Sequence, residues 1–251
     1  KRDLAIALEW GAITFLKNNG KQLQKINTNI SNESGWWNSI VASDIDNDGD
    51  MDYIAGNYGY NGFLQPTPTY PVHAYGNDFD NNGSYDAVFS SFRKATTNGP
   101  VKEFPIAGRD EFIRQMTIMK EKFTNYASYA NTEMNKIFSE ESMKSAMKLS
   151  VNNFYTSWIE NKGNFTFEMH ALPTETQVGP VYGIVANDFN DDGNIDIALN
   201  GNEYNMSPSL GKYDGFKGMI LLGNGKGNFQ PMSLSHSGIH IDGNGKALGE
   251  I

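Results

Sequence analysis

The chain has 251 residues, of which 39% are hydrophobic and 12% aromatic, so it can bury a core and is too apolar for a disordered protein. Its 29 acidic residues against 20 basic ones give a formal net charge of −9, which disfavours binding to nucleic acid or to an anionic membrane through a basic face. The absence of cysteine excludes a disulfide framework and thiolate catalysis, and no run of about 18 apolar residues predicts a transmembrane segment.

The first predicted elements, in chain order, are short strands at residues 4–7 and 13–17. The second strand leads into an Asn-Asn-Gly segment that is typical of a hairpin. The next apolar runs flank an acidic loop, and this arrangement recurs twice further along the chain.

An internal repeat covers residues 40–59, 74–93 and 184–203, which align without gaps. Each window consists of an apolar strand, the loop D-x-[DN]-x-[DN]-G-x-Φ-D, in which Φ is apolar or aromatic, and a second apolar strand. We expect the side-chain oxygens at loop positions 1, 3, 5 and 9 and a backbone carbonyl near position 7 to converge on one hard cation, while the glycine at position 6 permits the sharp turn. The candidate ligand residues are Asp44, Asp46, Asp48, Asp50 and Asp52 in loop one, Asp78, Asp80, Asn82, Ser84 and Asp86 in loop two, and Asp188, Asn190, Asp192, Asn194 and Asp196 in loop three.

Ca²⁺ is the cation that suits these loops best, because they are flexible and offer only oxygen ligands. Ten of the twelve side chains at positions 1, 3, 5 and 9 are carboxylates, which would repel one another without a cation. Mg²⁺ prefers stricter octahedral geometry, and transition metals are disfavoured because no loop contains His or Cys. We therefore predict about three Ca²⁺ ions, which would bring the formal charge from −9 to about −3.

Two other interpretations of the loops compete with this one. An EF-hand loop shares positions 1, 3, 5 and 6, but it has a glutamate at position 12 and helical flanks. Here position 12 is Ala55, Phe89 or Leu199, and the flanks are β-type runs. Asp, Asn and Gly also form turns without any metal, although the match of three loops at every ligand position argues against that interpretation.

The loops resemble the FG-GAP/VCBS repeats of calcium-binding β-propellers, the repeat type also found in the propeller of integrin α-chains. Residues 35–39 (GWWNS), 179–182 (GPVY) and 221–229 (LLGNGKGNF) are similar to bacterial VCBS-repeat proteins grouped with the ASPIC/UnbV family, many of them from Bacteroidetes. The resemblance covers nearly the whole chain. It implies an all-β fold, namely an FG-GAP/VCBS-type β-propeller of which this chain holds about three to four blades.

A segment without strand patterning separates loop two from loop three. Asp110 is a candidate cap for a helix that continues to Met119, and Ser139 is a candidate cap for a helix that continues to Met147. We interpret residues 108–149 as a small helical insertion between strands of one blade. Its methionine stripe is expected to pack on the propeller, and the competing role is a surface for protein partners.

The propeller blades are predicted on both sides of that insertion, at residues 1–107 with loops one and two and at residues 150–251 with loop three. Hairpins with Gly and Asn turns are predicted at residues 154–167 and 219–229. Without the insertion about 210 residues remain, whereas propellers usually close with about four to eight blades. We therefore expect the chain to form part of a larger ring.

Three classes of function remain open at this point. The first is a non-enzymatic, calcium-stabilised binding module outside the cytoplasm, because extracellular-type calcium sites are too weak to fill in the cytosol. The second, as in other propellers that the chain resembles, is a lectin or polysaccharide lyase. For this class the candidate sugar-stacking rings are Trp36, Trp37, Tyr58, Tyr60 and Phe63, whose competing role is packing between blades.

The third class is a component of a cell-surface assembly, because flat propeller faces and a helical insertion suit protein contacts. The resemblance implies that such a component is an outer-membrane lipoprotein that works beside a nutrient-uptake transporter. No spacing of carboxylates nominates a catalytic residue for any class. The expected partner is a protein or a glycan at the cell surface and not a nucleic acid. The expected location is extracytoplasmic: the cell surface, the outer membrane, the periplasm or the medium.

Overall fold

The computed structural model describes residues 2–207 and 210–251. The chain forms two compact units. Unit one consists of Lys1–Gln65 together with Asn153–Ile251, and unit two is Pro66–Asn152.

The described residues form seventeen strands, five short α-helices and two 3₁₀ helices. In chain order these are β1 (Leu4–Ile6), β2 (Glu9–Ala12), β3 (Thr14–Asn18), β4 (Leu23–Ile26), β5 (Ser34–Trp36), β6 (Ser39–Ser43), β7 (Asp52–Gly56), β8 (Val72–Asn77), β9 (Asp86–Lys94), β10 (Val101–Pro105), α1 (Arg109–Gln115), α2 (Met119–Lys122), α3 (Tyr126–Ala130), a 3₁₀ helix (Met134–Lys136), α4 (Glu140–Ser145), β11 (Met147–Val151), β12 (Ser157–Asn161), β13 (Phe167–Ala171), a 3₁₀ helix (Thr174–Val178), β14 (Val181–Asn187), β15 (Asp196–Gly201), β16 (Met219–Gly223), β17 (Phe229–Pro231) and α5 (Leu234–Ser237).

Unit one contains four antiparallel sheets in its described part. Two are four-stranded, with the orders β6-β7-β12-β13 and β14-β15-β16-β17, one is three-stranded, β1-β3-β4, and one is the pair β2-β5. Strands β7 and β12 pair directly, with Ile54 opposite Trp158, although all of unit two lies between them in the sequence. One blade-like sheet is therefore assembled from two distant parts of the chain.

Apolar side chains from neighbouring sheets of unit one form two buried clusters. Phe15 of the three-stranded sheet packs with Ile159 and Phe167 of the β6-β7-β12-β13 sheet. The other face of that sheet contributes Ile54 and Trp158 to a second cluster, which it shares with the β14-β15-β16-β17 sheet. Because each fully buried Ile or Phe contributes about 1.5–3 kcal/mol, these clusters hold the sheets face against face.

Unit two is a four-stranded antiparallel sheet, β10-β9-β8-β11, packed against the short helices. Tyr75 and Val88 of the sheet share a buried cluster with Phe112, Met116 and Met134 of the helical segment. Of the predicted methionine stripe, Met116 and Met119 are buried in this cluster and Met143 packs against it, whereas Met147 is 55% exposed.

The first predicted helix differs from the structure in two ways. Its N-cap is Gly108 and not Asp110, and the backbone of Gly108 has the extended conformation that is usual for an N-cap residue. The carboxylate of Asp110 is engaged instead by Arg109 and by the hydroxyl of Tyr126. The helix also stops before Met119, which begins α2.

The second predicted helix begins as expected and ends early. Ser139 caps α4, and its hydroxyl oxygen accepts the N–H of Ser142 at 3.1 Å. Met147 lies in β11 instead of the helix, because this strand completes the sheet by pairing with β8.

The fold is all-β and propeller-like, with few helices, as the sequence predicts. The predicted hairpins at residues 154–167 and 219–229 correspond to the β12–β13 and β16–β17 hairpins, although each predicted range ends at the first residue of the second strand. Helices α1–α4 lie inside the predicted insertion 108–149, while the compact units divide at 65/66 and 152/153. None of the described helices is long and apolar enough to span a membrane.

Candidate metal sites in the three acidic loops

Each acidic loop joins two neighbouring antiparallel strands: loop one joins β6 to β7, loop two joins β8 to β9, and loop three joins β14 to β15. The register is the same in all three, because the aspartate at position 9 is paired with the residue that precedes position 1. The pairs are Asp52 with Ser43, Asp86 with Asn77, and Asp196 with Asn187. The three loops are therefore equivalent β-hairpin connections, which separates them from helix-flanked EF-hands.

The backbone of each loop turns through the left-handed region at two positions. Glycine occupies position 6, as the sequence indicates, with φ between 85° and 94°. Position 4 has φ near 60° in every loop, and its residues are Asn47, Asn81 and Asp191. The sequence carried a signal for this second turn, since Asn and Asp adopt the left-handed conformation most readily after glycine.

The side chains at positions 1, 3 and 5 bond to the loop backbone in the same way in all three loops. The carboxylate at position 1 accepts the N–H of the position 6 glycine, the oxygen at position 3 accepts the N–H of position 5, and the oxygen at position 5 accepts the N–H of position 7. The bonds from position 6 to position 1 measure 3.1 Å (Asp44–Gly49), 2.9 Å (Asp78–Gly83) and 2.7 Å (Asp188–Gly193). Those from position 5 to position 3 measure 3.3 Å (Asp46–Asp48), 3.3 Å (Asp80–Asn82) and 3.0 Å (Asn190–Asp192). Those from position 7 to position 5 measure 2.9 Å (Asp48–Asp50), 2.8 Å (Asn82–Ser84) and 2.8 Å (Asp192–Asn194).

The aspartates at position 9 are buried, unlike the other side chains that are candidate ligands. Asp52, Asp86 and Asp196 are at most 5% exposed, and one oxygen of each accepts the N–H of position 2 at 3.1–3.4 Å. Burial raises the pKa of Asp52 and of Asp86. A carboxylate has about four acceptor sites, so these side chains keep capacity for a cation after accepting backbone N–H groups.

Loop one has the least satisfied oxygens. One carboxylate oxygen from each of Asp44, Asp46 and Asp48 lies within 4.8 Å of the others. The Oδ1 atoms of Asp44 and Asp50 are buried without a hydrogen-bond donor. Burial and the neighbouring Asp48 carboxylate raise the pKa of both Asp46 and Asp50. Buried, unpaired and mutually repelling oxygens fit a hard divalent cation.

Loop two shows the same convergence of oxygens, and loop three shows less of it. In loop two, oxygens of Asp78, Asp80 and Asp86 lie within 4.8 Å of one another. In loop three, the side-chain amides of Asn190 and Asn194 donate to the two oxygens of Asp192 at 3.1 and 2.9 Å. These amides occupy acceptor sites of Asp192, so in the described conformation loop three leaves fewer oxygen sites for a cation than loop one does.

Within unit one, loops one and three contact each other. The side-chain amide of Asn47 donates to Oδ1 of Asn194 at 3.5 Å. Gly225 of the β16–β17 hairpin lies beside both residues, where a Cβ atom would come within 2.2 Å of Asn194 and 2.6 Å of Asn47. The sequence contains no sign of this proximity, because 147 residues separate the two asparagines.

The aromatic residues predicted as sugar platforms differ in accessibility. Trp37 and Tyr58 are buried, at 2% and 4% exposure, so they serve packing. Trp36 is partly buried and lies edge-on against Tyr58, with ring centroids 4.7 Å apart. Tyr60 is also partly buried, and Phe63 is 63% exposed.

Comparison with known protein families agrees with the fold and with the loop pattern. A family model described as an FG-GAP-like repeat matches residues 1–55, which include β1–β6, loop one and most of β7. The searches of curated proteins and of solved structures each gave no match. The chain therefore carries an FG-GAP-like repeat on an all-β, propeller-like fold.

Proposed function

We propose that this chain is a non-enzymatic calcium-binding β-propeller module that works outside the cytoplasm. The observation that carries the proposal is the same set of bonds from the position 1, 3 and 5 side chains to the backbone in all three loops, together with carboxylate oxygens that converge in loops one and two. About three Ca²⁺ ions would be held by the side chains at positions 1, 3, 5 and 9 and by the carbonyls of Asp50, Ser84 and Asn194.

Bound calcium would neutralise the carboxylates and fix the loop conformation, and its role would be structural and not catalytic. The position 1 carboxylates hold the turn through their glycine N–H bonds. The buried position 9 carboxylates attach the loop to the strand that follows it. These residues therefore couple the conformation of each loop to the sheet beneath it.

Removal of calcium tests this structural role. We expect the melting temperature to fall in EGTA and to recover when Ca²⁺ is restored, with about three ions per chain measured by elemental analysis of the loaded protein. Asp48→Asn should weaken calcium binding, whereas Asp214→Asn, an exposed aspartate paired with Lys212 outside the loops, should not. An unchanged melting temperature after verified metal removal would contradict the proposal.

The proposed setting is the cell surface, where the module would bind a protein or a glycan, as an accessory subunit of an outer-membrane uptake complex. Two arguments support it: free calcium is high enough outside the cytoplasm to fill such loops, and parts of the chain resemble ASPIC/UnbV-associated VCBS proteins of Bacteroidetes. Surface labelling of intact cells and co-purification with an outer-membrane transporter test it. Detection of the protein only in the cytoplasm would exclude this setting.

Glycan binding, as in a propeller lectin or polysaccharide lyase, is the second candidate function. The observation that favours it is the exposure of two aromatic rings in unit one, Phe63 at 63% and Tyr155 at 42%, since exposed rings can stack on sugars. A glycan array with the calcium-loaded protein, repeated with Phe63→Ala and Tyr155→Ala, tests this role. Equal binding by the wild type and both variants would exclude these rings as the platform.

A further inference from the structure

One face of the β12–β13 hairpin in unit one collects two carboxylates and an imidazole, which range from largely buried Glu160 to exposed Glu168. Glu160 of β12 is paired directly with Glu168 of β13, and Trp158 is paired directly with His170. Side chains alternate between the faces of a strand, so residues two apart share a face and all four of these side chains lie together.

The ligand-type atoms of this cluster are close together. Nε2 of His170 lies 3.1 Å from Oε2 of Glu160 and 4.0 Å from Oε1 of Glu168. One such atom from each of the three residues lies within 4.8 Å of the others. The imidazole stacks on the buried ring of Trp158, with centroids 4.6 Å apart, which holds its orientation.

The charges around this cluster favour a cation. Like charges directly opposite each other on neighbouring strands are destabilising, and Glu160 and Glu168 are such a pair. Asp46 of loop one is near enough to add to the negative potential at Glu160. One ammonium group, that of Lys162, pairs with Oε1 of Glu160, so two glutamates face one lysine and the excess negative charge favours a further positive group.

The donor set differs from that of the acidic loops. A hard ion such as Ca²⁺ is bound by oxygens alone, whereas a neutral imidazole together with carboxylates suits Zn²⁺ and similar divalent transition metals. Two donors at about 2.1 Å from a tetrahedral Zn²⁺ are about 3.4 Å apart. The 3.1 Å and 4.0 Å separations at His170 bracket that value, and Glu168, whose side chain is 61% exposed, is free to close the longer one.

We propose that His170, Glu160 and Glu168 form a surface site for a Zn²⁺-like divalent transition metal, separate from the calcium loops. Nε2 of His170 and one carboxylate oxygen of each glutamate are the three protein ligands. In the complex, bonds to the metal replace the 3.1 Å hydrogen bond between Nε2 of His170 and Oε2 of Glu160. The fourth position of the metal faces solvent, where a water molecule occupies it.

A zinc titration in saturating Ca²⁺ tests this site, because calcium then occupies the acidic loops and keeps Zn²⁺ out of them. We expect the full chain to bind one Zn²⁺ by isothermal calorimetry, and bound Co²⁺ to show the visible absorption of a low-coordinate site. His170→Gln and Glu168→Gln should each weaken Zn²⁺ binding more than about tenfold, the scale on which even supporting residues of metal sites act.

A second histidine–carboxylate pair supplies a matched control. His240 lies 3.2 Å from Asp242, but with one carboxylate only, so His240→Gln should leave Zn²⁺ binding unchanged. Asp46→Asn reports whether the zinc is in loop one, and it should leave the stoichiometry at one. Glu168→Gln alters an exposed side chain, so it remains informative if His170→Gln disturbs folding.

Two results would overturn the proposal. The first is the absence of Zn²⁺ binding to calcium-saturated protein at millimolar concentration. The second is Zn²⁺ binding that survives both His170→Gln and Glu168→Gln. Neither result bears on calcium binding, which EGTA and the melting temperature test separately.

Discussion

The carboxylate of Asp52 accepts the backbone N–H of Asn161 at 2.7 Å, across 109 residues of sequence. In the β14-β15-β16-β17 sheet, Asp196 accepts the N–H of Gly223 at 2.8 Å in the equivalent place. In both cases the other oxygen accepts the N–H of loop position 2. The buried aspartate at position 9 thus joins its loop to the end of the next strand in the sheet, in addition to any ligand role.

We predict that Asp52→Asn destabilises the protein both with Ca²⁺ and in EGTA. An asparagine has one acceptor oxygen, so its amide group must face either Ile45 N–H or Asn161 N–H. A buried donor left without an acceptor costs about 1–3 kcal/mol. Chemical denaturation in EGTA measures the loss, with Asp48→Asn, an exposed residue of the same loop, as the control. Destabilisation confined to the calcium-loaded state would show that Asp52 acts as a ligand only.

We predict the opposite calcium dependence for Asp46→Asn. Burial and Asp48 raise the pKa of Asp46, so the ionised form at pH 7 costs stability in the calcium-free protein. The neutral variant should therefore melt at a higher temperature than the wild type in EGTA and at a lower one in Ca²⁺. Its advantage in EGTA should disappear as the pH falls through the raised pKa to below about 3.9, where the wild-type carboxyl is protonated in both states. Equal melting temperatures in EGTA at pH 7 would contradict the repulsion.

We predict that Gly227→Ala is much more destabilising than Gly163→Ala. Both glycines turn hairpins of unit one with positive φ, 70° and 78°, so both substitutions introduce backbone strain of about 1–2 kcal/mol. A Cβ at Gly227 would also lie 2.0 Å from the ring of Trp158, whereas a Cβ at Gly163 meets no atom within 4 Å. Overpacking typically adds about 1–3 kcal/mol. Equal free energies of unfolding for the two variants would contradict the prediction and would show that the hairpin moves away from Trp158 without cost.

We predict a pH-dependent stabilisation by Glu203. Partial burial opposes its ionisation, but Lys246, the N–H of Asn205 and the hydroxyl of Tyr182 lower the pKa of Glu203 from 4.5 to about 2. A depressed pKa stabilises the folded state above the unfolded value, and the contribution is lost as the pH falls from about 4.5 toward 2. The lowered pKa corresponds to at most about 3 kcal/mol, and because solvent screens the pair with Lys246, Glu203→Gln should cost about 2 kcal/mol at pH 7 and almost nothing near pH 2, measured by denaturation at both pH values. A loss that is constant with pH would assign the effect to packing.

Of the two helix N-caps that the sequence predicts, the structure has one and not the other. Ser139 was identifiable as a cap because an N-cap serine bonds within its own first turn. Asp110 had the same local signal, yet its carboxylate binds Tyr126, sixteen residues away, and Gly108 takes the cap position. Competition from a tertiary partner is invisible in a local pattern.

The sequence by itself determined the three acidic loops and the hairpins. Turn conformation and the spacing of oxygens depend on residues fewer than ten positions apart, as from Asp44 to Asp52. The propeller-like fold was implied by the resemblance of these loops to FG-GAP/VCBS repeats, and one FG-GAP-like repeat is found over residues 1–55.

Only the tertiary structure decided which distant strands share a sheet and which polar side chains their pairing brings together. β7 pairs with β12 across unit two because Ile54 and Trp158 bury their side chains in one cluster, and that burial has no local signature. The same pairing brings Asn161 to Asp52, and the β12–β13 register places Glu160, Glu168 and His170 on one face. Long-range apolar packing thus positions polar groups whose chemistry the linear order of the chain conceals.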